Sequence, residues 1–303
     1  MSAFSLSTSW NAHRHDNGYD IVDEIKRIGF DTIELSFALT ENIVNDIVAL
    51  KDASKINISS AHNMCPLPEE IERDEASPDY YSLAATDEAE RGLAVSIVKN
   101  TISCANRLGA RAVVLHTGRV QIKDRTRDLA ALAGDKVRSE NLRRGMIEER
   151  SAKKDGYLDN VIKSLAETIP YAKEMKVSLG IENRYYYREI PIIDELGEMF
   201  KVFKPGDLYY WHDAGHAEVF ERLGLVRHKD LLERFQDRLL GLHLHDIIGA
   251  NKDHNAPGSG EFDFRMLKPY VRPETIKVIE AHHPATAGEI RKSVEYLSKI
   301  FGT

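Results

Sequence analysis

Short apolar segments rich in Val, Ile and Leu alternate along the chain with longer stretches whose apolar residues recur at helical spacing. Eight such pairs can be counted, with strands predicted near residues 3–8, 32–36, 56–61, 112–116, 177–182, 207–211, 239–244 and 275–280. A helix-like stretch follows each one; NIVNDIVALKDASK follows the second, LDNVIKSLAETIPYAKEM precedes the fifth and EIRKSVEYLSKI closes the chain. The seventh, near FRMLKPY, is short. Eight alternating units without a Gly/Ser-rich linker predict an α/β fold, a (β/α)8 TIM barrel, as one domain over residues 1–303. An open doubly wound sheet is the alternative. The connections at about 62–85 and 117–155 are longer than a barrel needs, and both follow strands, so they belong on the face where barrels build active sites.

Polar residues that are unusual in such apolar company fall at or just past the predicted strand ends. His62 follows the third strand, His116 ends the fourth, Glu182 ends the fifth, and Asp213 and His216 follow the sixth. His243 and His245 end the seventh, His254 lies in the loop after it, and Glu280 ends the eighth. In a barrel these ends converge on one pocket, so residues far apart in sequence meet. A lone histidine at a strand end is more often a hydrogen-bonded structural residue than a ligand. Two glutamates closing apolar strands are costly to bury unpaired, and a cation would offset that cost. Alternation puts His243 and His245 on one face of the strand and does not choose between them. His282 and His283 read as loop or supporting residues. Imidazole and carboxylate without thiolate suit Mn, Zn, Co or Mg as a divalent metal ion.

Composition narrows the function classes. The chain has 303 residues, 42% hydrophobic and 29% charged, with a net charge of -7, so it can fill a core and has no general attraction for phosphate backbones or anionic lipid. Cys65 and Cys104 make neither a metal motif nor a disulfide framework, and read as small apolar side chains in a reducing, cytoplasmic setting. The start, MSAFSLSTSW, has no basic leader and long apolar runs are missing, so neither export nor membrane insertion is expected.

The pieces SAHNM, VVLHTG, LGIENR, WHDAGHA, LHLHD, HNAPGSGEFD and VIEAHH, in that order and spanning nearly the whole chain, resemble the xylose isomerase-like TIM barrels. That superfamily holds sugar isomerases and epimerases together with the endonuclease IV family. The resemblance implies a divalent metal held by Glu182, Asp213, His243 and Glu280; the pattern His-Leu-x-Asp selects His243 over His245. It implies proton transfer through an enediolate of a sugar, sugar phosphate or related polyol, with Glu182 and Glu280 as acid and base and His216 contacting substrate. His62, His116 and His254 become additional metal or substrate ligands. Arg184 and Arg188, flanking three tyrosines, offer guanidinium groups to a phosphate or carboxylate. Barrels of this group commonly pair, so a homo-oligomer acting on a small molecule is expected.

Two other enzyme readings use the same residues. An endonuclease IV-like enzyme would carry several zinc ions, but it needs an Asp-x-His pair where this chain reads Asn251-Lys252-Asp253-His254, and the segment after His62 has no aromatic wedge. Arg143, Arg144, Arg150, Lys153 and Lys154 put positive charge on the 117–155 insertion, offset by Glu148, Glu149 and Asp155, which reads as a solvated helix rather than a nucleic-acid surface. A metal-dependent dehydratase would reuse the same metal and base. A barrel retaining metal but not catalysis is disfavoured by the full ligand set.

Overall fold

The computed structural model describes residues 4–302. Eight parallel strands close into a barrel: β1 (Ser5–Ser7), β2 (Thr32–Leu35), β3 (Asn57–His62), β4 (Ala112–Leu115), β5 (Ser178–Glu182), β6 (Tyr209–Asp213), β7 (Leu239–Leu244) and β10 (Ile276–Ile279). Each pairs with its neighbour in sequence order, and β10 pairs with β1 to complete the circle. Between β7 and β10 lies an antiparallel hairpin of β8 (Asp246–Ile248) and β9 (Lys252–Asn255), followed by a 3-10 helix at Phe264–Tyr270 where the short seventh helix was expected.

The outer layer comprises α1 (Gly18–Ile28), α2 (Glu41–Asp52), α3 (Glu88–Leu108), α4 (Thr126–Ala131), α5 (Lys136–Ser151), α6 (Asp155–Glu174), α7 (Ile193–Val202), α8 (Ala214–Arg222), α9 (His228–Phe235) and α10 (Ala287–Phe301). Local chemistry sets their ends. The Asn17 side chain accepts from the Asp20 N–H at the start of α1, while Gly29, at φ 113°, closes it with a left-handed cap. Asp87 and Gly109 do the same for α3, and Thr286 with Glu289 forms a capping box for α10. Ile21, Ile25 and Ile28 are the buried stripe of α1, which joins the outward-facing strand residues in one continuous core. None of the described helices is long and apolar enough to cross a membrane.

Strand alternation sorts the other side chains into the barrel. Ala112, Val114, Trp211, Ile276 and Val278 make a separate small cluster inside. Trp211 fills the lumen because Gly180 and Gly241 leave room for it; a Cβ at Gly241 would lie 2.4 Å from the indole. One step further along each strand, the same inward parity brings Glu182, Asp213 and His243 to the C-terminal face, with Glu280 just past β10. The His243 ring sits 5.2 Å from that of Trp211, so the indole forms the floor on which the polar residues stand.

Candidate metal centre

Glu182, Asp213, His243 and Glu280 each offer a ligand atom, and these atoms lie within 4.8 Å of one another with all four residues buried. His243 Nδ1 is 2.5 Å from Glu182 Oε1, 3.0 Å from Glu280 Oε2 and 3.7 Å from Asp213 Oδ2. Its Nε2 is 2.9 Å from Glu34 Oε1. Glu34, from β2, is fully buried and takes the Ser60 hydroxyl hydrogen at 2.6 Å on its other oxygen. A proton on Nε2 bonded to Glu34 leaves Nδ1 as the ring's ligand atom.

His245 is different. Its Nε2 donates to the Asp213 carboxylate at 2.8 Å, and its Nδ1 accepts the His254 backbone N–H at 2.9 Å. Both nitrogens are spoken for, so His245 orients Asp213 rather than meeting the centre itself. The last residue of the motif, Asp246, faces away: its carboxylate accepts the backbone N–H groups of Ile247, Gly258, Gly260 and Phe262, which shapes the GSGEF loop.

The charges around this centre pull proton affinities apart. Burial alone would raise Glu182, but His243, His116 and His62 together bring its carboxyl well below the usual range. Burial pushes Glu280 well up; the negative charges of Glu182, Glu34 and Asp213 add to this against the attraction of His243. Burial opposes a charge on His243, and the carboxylates of Glu280, Glu34 and Glu182 outweigh it. Four acids around one imidazole are therefore crowded, and Glu280 answers with a raised proton affinity. A divalent cation bonded to the three carboxylates and His243 Nδ1 would relieve that crowding, and an oxygen-rich set with one imidazole suits Mn, Zn, Co or Mg.

The centre opens into a cavity of about 380 Å³ lined by His62, His116, His216, His254, Glu182 and Glu280 among others. His116 stands between carboxylates, with Nε2 2.6 Å from Glu182 and Nδ1 3.0 Å from Asp79. His62 donates from Nδ1 to the Asn63 carbonyl at 2.8 Å and turns Nε2 to Glu182 at 3.6 Å. His216 donates from Nδ1 to the Asn183 carbonyl at 3.1 Å, leaving Nε2 toward Asp253 at 3.7 Å. Burial pushes His216 down to about 4 despite Asp213, so its ring is neutral near pH 7. His254 pairs with Asp253 at 3.0 Å and stacks between His245 and His282.

Arg184 lines the same cavity but is already engaged, 2.6 Å from Asp79, 3.3 Å from Glu189 and 3.4 Å from Glu182. Arg188 does not line it, contrary to the sequence reading; its carbonyl accepts from Val120 N–H on the neighbouring loop. Spacing alone put both arginines near Glu182, whereas the bend after β5 turns only the first inward. The insertion's charge also needs revision: Arg150 is 1% exposed and bonds Glu195 and the carbonyls of Tyr187 and Glu189, bracing the rim from beneath. Sequence reasoning missed Glu34 and Asp79. Glu34 did carry a signal, as a lone acid at inward parity in an apolar strand; Asp79, in an irregular loop, carried none.

Solved structures with this architecture span the chain. A D-tagatose 3-epimerase-like protein superposes with a TM-score of 0.70 at 20% identity, covering 100% of this chain and 97% of that one. The apo 3-keto-D-glucoside 4-epimerase of E. coli gives 0.67 at 16% identity, covering 99% and 100%. The IolI protein, solved with a bound zinc atom, gives 0.63 at 11% identity, covering 100% and 98%. At these identities the likeness shows the fold. The uncharacterized protein y4fM of Sinorhizobium fredii (strain NBRC 101917 / NGR234) is 27% identical over 178 residues, 59% of this chain and 48% of the relative, so the match spans about half the length of that protein. The sequence pattern described as xylose isomerase-like TIM barrel matches residues 22–300, in agreement with the closed barrel, and the chain belongs to that family.

Proposed function

We propose that the protein is a divalent-metal-dependent isomerase or epimerase of a ketose, working by proton transfer next to the carbonyl. The observation that carries this is the pair Glu182 and Glu280: both face one cavity, and their surroundings push their proton affinities in opposite directions. Glu182, Asp213, His243 and Glu280 would hold the ion. Once bound there, the ion supplies a Lewis acid that polarises the substrate's adjacent carbonyl and hydroxyl oxygens and stabilises enediolate charge.

The protein's own groups then divide the work. Glu182, ionised at neutral pH, removes the proton on the carbon beside the carbonyl. Glu280, reaching the cavity from the other side of β6 and β7, returns a proton to the flat intermediate. His216, neutral with Nε2 free of a strong donor, accepts a substrate hydroxyl. His116, bonded at both nitrogens to Asp79 and Glu182, holds the base in place. Arg184 is tied to three carboxylates, whereas Arg127 lines the same cavity with only the Tyr186 hydroxyl as a hydrogen-bond partner at 2.9 Å. The likeness in fold to a D-tagatose 3-epimerase-like protein and to a 3-keto-D-glucoside 4-epimerase supports a sugar substrate.

The test is solvent exchange. In D2O, with a metal-loaded sample and a panel of ketopentoses and ketohexoses, proton NMR should show deuterium entering the carbon beside the carbonyl as the epimer or isomer appears. The variant Glu182→Gln should keep the fold and lose that exchange; full exchange in it would remove Glu182 from the role.

A multi-zinc phosphodiesterase is the second reading, favoured by two adjoining groups, His62/His116/Glu182 and Asp213/His216/His245/His254. In both, however, a histidine has its nitrogens occupied, His116 by two carboxylates and His245 by Asp213 and a backbone N–H. One ion per chain by elemental analysis supports the sugar enzyme, whereas two or three zincs would favour the hydrolase.

A further inference from the structure

One arginine of the cavity wall has no part in the chemistry described so far. Arg127 lies in α4, within the 117–155 insertion, and lines the same cavity as Glu182 and Glu280. The insertion is fastened to the loop after β5 at several points. Val120 N–H donates to the Arg188 carbonyl at 2.8 Å, Ile190 N–H to the Gly118 carbonyl at 2.9 Å, and Tyr187 N–H to Thr126 Oγ1 at 2.9 Å. Thr126 is fully buried, and its hydroxyl also donates to Asp124 Oδ1 at 2.9 Å. Arg127 therefore leaves the backbone from a fixed point beside the cavity.

Its guanidinium is short of partners. One N–H donates to the Tyr186 hydroxyl at 2.9 Å, Cζ lies 5.6 Å from the centre of that ring, and no carboxylate among the described residues pairs with it. The other donors of the planar fork are left for solvent or a ligand. The two other insertion and cavity arginines are different: Arg150 is buried against Glu195 as a brace, and Arg184 is neutralised by Asp79, Glu182 and Glu189. Tyr186 packs on Tyr185 with ring centres 4.6 Å apart, and Tyr185 packs on His216 at 5.8 Å. One wall of the cavity thus runs from His216 through two tyrosines to an uncompensated cation.

We propose that Arg127 is a specificity-determining residue for a ketose that carries an oxyanion, a carboxylate or a phosphate, at the end remote from its carbonyl. This rests on the sugar isomerase or epimerase reading above and adds the substrate's charge to it. With the carbonyl end at Glu182 and Glu280 and hydroxyls along His216 and the tyrosines, the remote end meets the Arg127 fork. A guanidinium binds two oxygens of either group through parallel N–H bonds, which a neutral hydroxymethyl end cannot offer. The Tyr186 hydroxyl, whose oxygen accepts from Arg127, holds the fork against the wall.

The test uses the ketohexose stereoisomers, each compared as the free sugar, the 6-phosphate and the 6-carboxylate; D-fructose, D-fructose 6-phosphate and D-fructuronate make one such set. Calorimetry on the metal-loaded full-length protein gives each affinity, and the readout is the ratio of charged to neutral ligand within one protein. Wild type should favour one charged form, and which one it favours names the oxyanion. In Arg127→Ala the ratio should fall about ten- to a hundredfold, the loss of a charge-assisted hydrogen bond. Arg127→Lys should lie between, since it keeps the charge without the fork. Arg144→Ala removes the same charge from an exposed position of α5 that does not line the cavity, and should keep the wild-type ratio. Equal affinities for charged and neutral ligands in wild type, an unchanged ratio in Arg127→Ala, or an equal fall in Arg144→Ala would overturn the assignment and leave the sugar reading standing. Binding of no ketohexose, charged or neutral, would remove the sugar reading and the role of Arg127 together.

Discussion

Glu34 makes no contact with the cavity, yet the geometry gives it control of the metal. Its carboxylate lies 2.9 Å from His243 Nε2, both residues are fully buried, and the Ser60 hydroxyl fixes its other oxygen at 2.6 Å. In Glu34→Ala the buried Nε2–H has no acceptor, a loss of about 1–3 kcal/mol. The ring escapes that cost by moving its proton to Nδ1, which blocks the nitrogen aimed at the centre. Loss of such a supporting contact weakens metal affinity by about ten- to a hundredfold, or about 1.4–2.7 kcal/mol. Glu34→Gln is the control. Its amide oxygen still accepts from Nε2–H, and Ser60 can turn its hydroxyl to Ser59 Oγ, 3.1 Å away, and accept the new N–H2. Charge is lost in both variants, but the acceptor is lost only in alanine. Titration of metal-free protein with Mn and Zn by calorimetry or chelator competition should therefore rank wild type, then Gln, then Ala, with circular dichroism confirming the fold. Equal weakening in both variants would mean that only the negative charge matters, and the tautomer argument would be wrong.

The remaining expectations concern protons and the loop. Burial raises the proton affinity of Glu280, and the surrounding carboxylates raise that of His243 against its burial, so a metal that takes His243 Nδ1 and the Glu280 carboxylate competes with protons there. Affinity should fall as pH drops below these raised values, by about tenfold per pH unit for each proton released, and calorimetry in buffers of different ionisation enthalpy counts the protons. Binding that is independent of pH and buffer would contradict this. Asp246→Asn sets an amide against four backbone donors, and urea denaturation should show a loss of about 2–4 kcal/mol; a change under about 0.5 kcal/mol would mean the loop holds itself.

Much of the architecture was legible because its causes are local. Apolar runs at a period of two, helical stripes and capping residues act over a few positions, and their alternation admits few topologies. The same locality explains some strand ends: β7 begins and ends where the LLGLHL run does, and Glu182 ends β5 as expected, whereas Asp213, expected past a strand at 207–211, is the last residue of β6. Partner choice is another matter. Counting puts His243 and His245 on the same side, and only the closed barrel brings Glu34 from a strand more than two hundred residues earlier to Nε2 of the first, while the His254 backbone occupies the second. Asp79 reaches His116 and Arg184 from an irregular loop with no period to read, and Arg150 looked like surface charge until Glu195 met it under the rim. Sequence by itself determined which residues point inward, because that depends on neighbours along the chain. The tertiary structure alone decided which of them bear a free nitrogen, a shared proton or a neutralised charge, because those depend on atoms that barrel closure brings within about 3 Å.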